Sequence, residues 1–223
     1  MSGTGALRIV VADDEQMVRT ALRAILSAEP DMEVVGEAAD GAFAVSVVRE
    51  LTPDVVLMDV RMPGIDGIRA IERILAAGPP EAAPRILVVT TFENDAYVYD
   101  ALRAGAAGFL LKRAAAEELV QAVRLVARSD SLLFPAAVRA LAASRPGRAA
   151  GSPPPWAARL TGREAAVLRL MATGLTNAEI AERMGIGPAT VKTHVASVLA
   201  KTGTRDRTQA VIAAYETGYV SPH

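Results

Sequence analysis

Asp59 closes an apolar run, Val55-Val56-Leu57-Met58, and opens onto Arg61-Met62-Pro63-Gly64-Ile65-Asp66-Gly67. An ionised carboxylate is costly to bury. Its place is therefore the C-terminal mouth of a buried strand, where open α/β sheets collect their ligands. The acidic pair Asp13-Asp14 ends a second apolar run, Leu7 to Ala12. Two strand ends thus bring three carboxylates together. Such a cluster suits a hard, oxygen-loving divalent cation such as Mg²⁺, which completes its shell with water and phosphate oxygens. Without a cation the carboxylates repel one another and raise each other's pKa. With one, a carboxylate stays ionised and can accept a phosphoryl group as a nucleophile.

Phosphorylation would place new negative charge at that strand end. Two residues are placed to answer it: the hydroxyl of Thr90 and the ammonium of Lys112, each following an apolar run. All of these groups must be carried by one sheet. Strands are predicted at Leu7–Ala12, Met32–Glu37, Val55–Asp59, Ile86–Thr90 and Gly108–Leu111. Helical spacing separates them. Val18, Leu22, Ile25 and Leu26 share one helix face, and 42–49, 67–75, 96–104 and 115–127 behave alike. Five βα units with continuously apolar strands predict a parallel sheet covered on both faces. The order expected is flavodoxin-like, with the carboxylates at its switch point.

The net charge of −1 conceals an asymmetry. Residues 1–126 carry 12 Lys/Arg against 19 Asp/Glu, whereas 156–223 carry 8 against 5. An acidic first part and a mildly basic tail predict two domains with different partners. At 51% hydrophobic and 22% charged, the chain reads as globular. No apolar stretch approaches the roughly 20 residues that span a bilayer, and the first residues carry no secretory pattern. Zero cysteines exclude disulfides and thiolate metal sites and fit a cytoplasmic location. Two histidines are too few for a histidine-based metal centre.

The periodic pattern fails near Ser129. Ser144 to Pro155, rich in Pro, Gly and Ala, predicts an extended linker, with a possible helix over Leu133–Ala143 before it. The expected layout is a receiving domain over 1–128, a linker over 129–156 and a second domain over 157–223. The latter reads as four short helices. Thr161 and Glu164 are spaced as a capping box, and Gly174 stops the first helix. Thr176 caps the second, Asn177–Met184, and Gly185 ends it. Gly187-Pro188 opens the third, because Pro at the first helical position has a preset φ. Asp206 opens the fourth and Gly218 ends it. The third helix carries an apolar stripe, Val191, Val195, Val198 and Thr202, widened by Leu199 and expected to pack on Ile180, Ala181 and Met184. Its opposite face is read as Lys192, Thr193, Ala196 and Ser197. A short polar face with a basic residue near its start suits the DNA major groove. Lys192 and Thr193 are the candidate base readers. Lys201, Arg205 and Arg207 are the candidate phosphate contacts.

These residues carry two resemblances. The Asp13-Asp14 pair, Asp59 before Met62-Pro63-Gly64-Ile65-Asp66-Gly67, Thr90, Ala104-Gly105-Ala106 and Lys112 make residues 7–126 similar to the receiver domain of bacterial response regulators. Leu160-Thr161-Gly162-Arg163-Glu164, the run Gly174–Ala181, the run Ala189–Val195 and Arg207–Val211 resemble the LuxR-type helix-turn-helix. Together the chain resembles the NarL/FixJ class. The resemblance implies that Asp59 is the phosphoacceptor and that Asp13, Asp14, Asp59 and the Arg61 backbone carbonyl hold Mg²⁺. It implies that Thr90 and Lys112 contact the phosphoryl group and that Phe109 rotates with Thr90. Arg61 and Thr91 stand where this family tunes phosphoryl lifetime. The resemblance further implies a sensor histidine kinase as donor, double-stranded promoter DNA as target and Thr190, Lys192, Thr193, Ser197, Lys201 and Arg207 as DNA contacts. A homodimer on activation, with the final helix as its face, and contact with RNA polymerase follow in the same way. Gly187 stands where a Ser cap is usual, and Ala196 is small where relatives carry a longer polar residue.

Other function classes weigh less. A phosphatase resembling the haloacid dehalogenases needs a second Asp two residues after the first, and that position is Arg61. The chain is thus expected to be a regulator that accepts phosphate, not an enzyme. The remaining alternative is a constitutive DNA-binding regulator with a vestigial acidic pocket.

Overall fold

The computed structural model describes residues 5–79, 82–91, 95–128 and 153–221. The expected linker helix over Leu133–Ala143 and most of the Pro-rich stretch lie outside the described residues. The chain divides into two units, Met1–Arg128 and Ser129–His223.

The first unit is a five-stranded parallel sheet in the order β2-β1-β3-β4-β5. Its strands are β1 (Leu7–Ala12), β2 (Met32–Ala38), β3 (Val55–Met58), β4 (Arg85–Thr90) and β5 (Gly108–Leu111). The helices are α1 (Gln16–Ser27), α2 (Gly41–Leu51), α3 (Gly67–Ala76), α4 (Asp95–Ala104) and α5 (Ala116–Arg128). β3 is buried throughout, as are Ile9 to Ala12 of β1 and Ile86 to Thr90 of β4. That is why these strands are continuously apolar rather than alternating. Helix entry is set locally. Asp40 and Asp66 are the N-caps of α2 and α3 and accept from the backbone N–H of Phe43 and Arg69.

The expected strands all form: β1 and β5 with the expected bounds, and β2, β3 and β4 with one end shifted by a residue. β3 stops at Met58, so Asp59 lies just beyond the ladder, still anchored by its N–H to the Ala12 carbonyl at 2.8 Å. From Asp59 an eight-residue loop, 59–66, leads to α3 and packs back on its start. Gly67 makes that packing possible: a Cβ there would collide with the Asp59 carbonyl.

The second unit holds a short 3₁₀ turn, Ala157–Arg159, then α6 (Gly162–Ala172), α7 (Asn177–Met184), α8 (Pro188–Thr202) and α9 (Arg207–Glu216). Both capping boxes close, Thr161 with Glu164 and Thr176 with Glu179. Gly185 and Gly203 end α7 and α8 in the left-handed conformation, at φ 64 and φ 71. The core joins Val167, Leu168 and Met171 to Ile180, Val191, Val195, Val198 and Val211. Trp156 and Tyr219 tie the two ends of the unit, with ring centroids 4.9 Å apart. Among the described residues, no helix is long and apolar enough to cross a membrane.

Candidate functional site

At the C-terminal mouth of the sheet, Asp13, Asp14 and Asp59 each present a carboxylate oxygen, all within 4.8 Å of one another. Asp13 and Asp59 are buried and Asp14 is exposed, so the cluster opens to solvent on one side. Lys112 enters from the end of β5. Its Nζ lies 2.8 Å from Asp13 Oδ2, 3.1 Å from Asp59 Oδ2 and 3.3 Å from Glu15 Oε1.

The charges of this cluster are not balanced. Burial pushes the Asp59 carboxyl above its ordinary range, and the nearby Lys112 ammonium only partly offsets it. Burial also opposes the ammonium of Lys112, but Asp13 and Asp59 outweigh it and hold that group above its ordinary value. Asp59 Oδ1 accepts from the Val60 N–H at 2.7 Å. Its Oδ2 faces Lys112. Asp13 Oδ1 accepts from the Glu15 N–H at 3.0 Å. Asp13 Oδ2 is buried, and its partner is the Lys112 ammonium at 2.8 Å. A small hard cation with oxygen ligands fits such a set: three converging carboxylates and an open side for water.

Thr90 ends β4 and is buried, Phe109 lies half-buried on β5, and Arg61 is exposed two residues beyond Asp59. The structure therefore brings Asp13, Asp14, Asp59 and Lys112 into one cluster. Thr90 is carried to the same edge of the sheet by the pairing of β4 with β3 and β5.

Residues 9–124 match the family described as the response regulator receiver domain. This chain is a response regulator. Residues 158–214 of the regulator match bacterial regulatory proteins of the luxR family, which places it among NarL/FixJ-type transcription factors. It is 40% identical over 215 residues to the transcriptional regulatory protein LiaR of Bacillus subtilis strain 168, covering 96% of this chain and 100% of that one. It is 41% identical to the transcriptional regulatory protein YxjL of the same strain, over 96% of this chain and 97% of the other. Its fold is similar to the solved receiver domain of the response regulator NarL from Mycobacterium tuberculosis. That match has a TM-score of 0.52 and 39% identity, over 56% of this chain and 98% of that one. The regulator is thus a two-component, DNA-binding transcription factor. Its receiver domain accepts phosphoryl from a kinase partner, and it is not a classical enzyme.

In the regulator's helix-turn-helix unit, α8 carries the residues expected to read DNA. Thr190, Lys192 and Thr193 are exposed on it, and Thr193 donates its hydroxyl to the Ala189 carbonyl. The other expected DNA contacts are placed differently. Ser197 does not share the outer face. Its hydroxyl donates to Glu164 Oε1 at 2.6 Å. Lys201 pairs with both oxygens of Glu164, at 2.7 and 2.6 Å. Arg207, expected on the DNA face, is placed inside the unit instead. It is only 2% exposed, and its guanidinium bonds Asn177 Oδ1 at 3.0 Å and the Leu175 carbonyl. The guanidinium fastens α9 to the start of α7.

Glu164 was legible only as a cap. Its carboxylate completes the capping box and also binds Ser197 and Lys201, which holds its pKa down at about 2. Gly67 was read only as part of a motif, and its packing under Asp59 appears only in three dimensions.

Proposed function

We propose that the regulator is switched by phosphorylation of Asp59 and that the receiver passes this state to α8. The carrying observation is Lys112 spanning Asp13 and Asp59 within 3.1 Å, beside a third carboxylate. A phosphohistidine of a sensor kinase is the donor. Its N–P bond breaks as an Asp59 carboxylate oxygen forms the new O–P bond, and the imidazole, already protonated on its other ring nitrogen, takes the N–P electron pair and leaves as neutral histidine.

Asp13, Asp14, Asp59 and the Arg61 carbonyl are the residues that would hold Mg²⁺. When bound, Mg²⁺ neutralises the carboxylates and the incoming phosphoryl oxygens. Asp59 acts as the nucleophile, its Oδ1 oriented by the Val60 N–H. Lys112 releases Asp59 and turns its ammonium to the phosphoryl oxygens. Thr90 offers its hydroxyl to the same group, and Phe109 follows it inward. The altered surface permits two copies to pair, with α9 as the contact face, and to occupy half-sites about one helical turn apart. On DNA, Lys192 and Thr193 read base edges and Thr190 supports them from the helix start. Contact with RNA polymerase and a cytoplasmic location complete this reading.

The test compares wild type with Asp59→Asn after treatment with acetyl phosphate and Mg²⁺. Sedimentation and operator binding are the readouts. Wild type should shift to a dimer and bind more tightly, and Asp59→Asn should do neither. Equal occupancy by both proteins before and after treatment would mean a constitutive regulator.

A further inference from the structure

The carboxylates of the cation cluster stand on a short turn between β1 and α1, and that turn has its own support. Arg19, one turn into α1, folds its side chain back toward the helix start, the direction in which helical side chains lean. Its Nη1 donates to the Asp13 carbonyl at 2.7 Å and to the Asp14 carbonyl at 3.3 Å. Its Nε lies 3.4 Å from Glu37 Oε2 on β2. The guanidinium is 14% exposed.

Electrostatics alone disfavours this arrangement. A cation at a helix N-terminus opposes the macrodipole, and one close to a divalent-cation site repels the ion it serves. What the guanidinium supplies is geometric. One nitrogen, Nη1, bridges two successive carbonyls while a second, Nε, is clamped from a neighbouring strand in the fixed plane of the guanidinium. Fixing the peptide units of Asp13 and Asp14 fixes the direction in which their side chains leave the backbone. Arg23, one turn further along α1, pairs with the same Glu37 at 2.5 Å but contacts neither carbonyl.

We propose that Arg19 is a positioning residue for the divalent cation: clamped by Glu37, it holds the Asp13-Asp14 turn so that both carboxylates converge with Asp59. This inference rests on the reading of the cluster as a Mg²⁺ site. Partners that orient metal ligands without touching the metal are worth about 10–100-fold in affinity when removed.

The experiment titrates magnesium chloride into the full-length protein by isothermal calorimetry, with thermal unfolding in EDTA as a companion. Arg19→Met should weaken Mg²⁺ binding about tenfold. Arg19→Lys, which keeps the charge but has one nitrogen and so cannot meet the carbonyls and Glu37 from separate donors, should fall between. Arg23→Met removes an equal charge from the same helix and the same Glu37. It should bind Mg²⁺ as wild type does, or slightly more tightly. The sign separates the causes, because loss of positive charge by itself strengthens cation binding. A merely structural role would lower both variants' unfolding temperature in EDTA without a selective loss of affinity. Should Arg19→Met fail to fold, Arg19→Lys carries the comparison. Unchanged or tighter Mg²⁺ binding in the Arg19 variants, or an equal loss in Arg23→Met, overturns the proposal. A wild-type protein that takes up no Mg²⁺ overturns the cation reading itself.

Discussion

The ammonium of Lys112 and the carboxylate of Asp59 meet at 3.1 Å across the mouth of the sheet, yet the pair does not settle the charge of Asp59. Burial still leaves that carboxyl above its ordinary value. A carboxyl whose pKa rises on folding costs stability once pH exceeds its unfolded value, here the ordinary 3.8. In EDTA at neutral pH, Asp59→Asn is therefore expected to unfold at a higher temperature than wild type. Differential scanning calorimetry reads this directly. A lower unfolding temperature would show that the Lys112 contact outweighs the burial cost.

Glu164 gives the opposite pH signature. Its pKa falls from 4.5 to about 2, chiefly through hydrogen bonds from Lys201 and Ser197. A depressed carboxyl contributes stability above its unfolded value and loses it as pH falls. The DNA-binding unit should weaken between pH 4.5 and about 2, and Glu164→Gln should flatten that slope. Circular dichroism melts across this window provide the check. An identical slope in the variant would mean that the brace contributes nothing.

Lys192 and Arg207 should separate binding from folding. Lys192→Ala is expected to cost roughly 1–3 kcal/mol of operator affinity if it reads a base, with an unchanged melt. Arg207→Ala leaves Asn177 Oδ1 and the Leu175 carbonyl without their donor. Losing the donor to the buried Asn177 acceptor alone costs roughly 1–3 kcal/mol, so this variant should melt early. Paired melts and fluorescence-anisotropy titrations make the comparison. A stable Arg207→Ala protein with weakened DNA binding would restore that residue to the interface.

Gly67→Ala is expected to impair phosphoryl acceptance although residue 67 is not a ligand. Its Cβ would press on the Asp59 carbonyl and push the acceptor out of place. The rate of phosphorylation by acetyl phosphate should fall well before overall stability does. A wild-type rate would show that the loop accommodates the methyl group freely.

The acidic pocket was readable because its chemistry depends on residue type at strand ends, and apolar runs mark those ends. Asp13, Asp14, Asp59 and Lys112 needed only the order of five parallel strands to meet. The DNA face was harder, because it depends on angle around a helix. Lys192 and Lys201 are both lysines of α8, but nine residues make about two and a half turns. They point to opposite sides, one outward and one to Glu164. That arithmetic was available and separates the two. Arg207 had no such signal, since arginine is ordinarily exposed and only the buried contacts with Asn177 and Leu175 reveal its use. Arg19 was silent for the same reason: its partners are main-chain carbonyls, which every sequence has.

The central claim, that Asp59 accepts the phosphoryl group within a cation-dependent carboxylate cluster, is tested most directly by intact-protein mass spectrometry. The protein is incubated with acetyl phosphate in Mg²⁺ or in EDTA, and the modified residue is located by borohydride trapping and peptide mapping. A single phosphoryl increment on Asp59, formed in Mg²⁺ and absent in EDTA and in Asp59→Asn, is the expected result. An unmodified mass in Mg²⁺, or an increment that persists in Asp59→Asn, would contradict it.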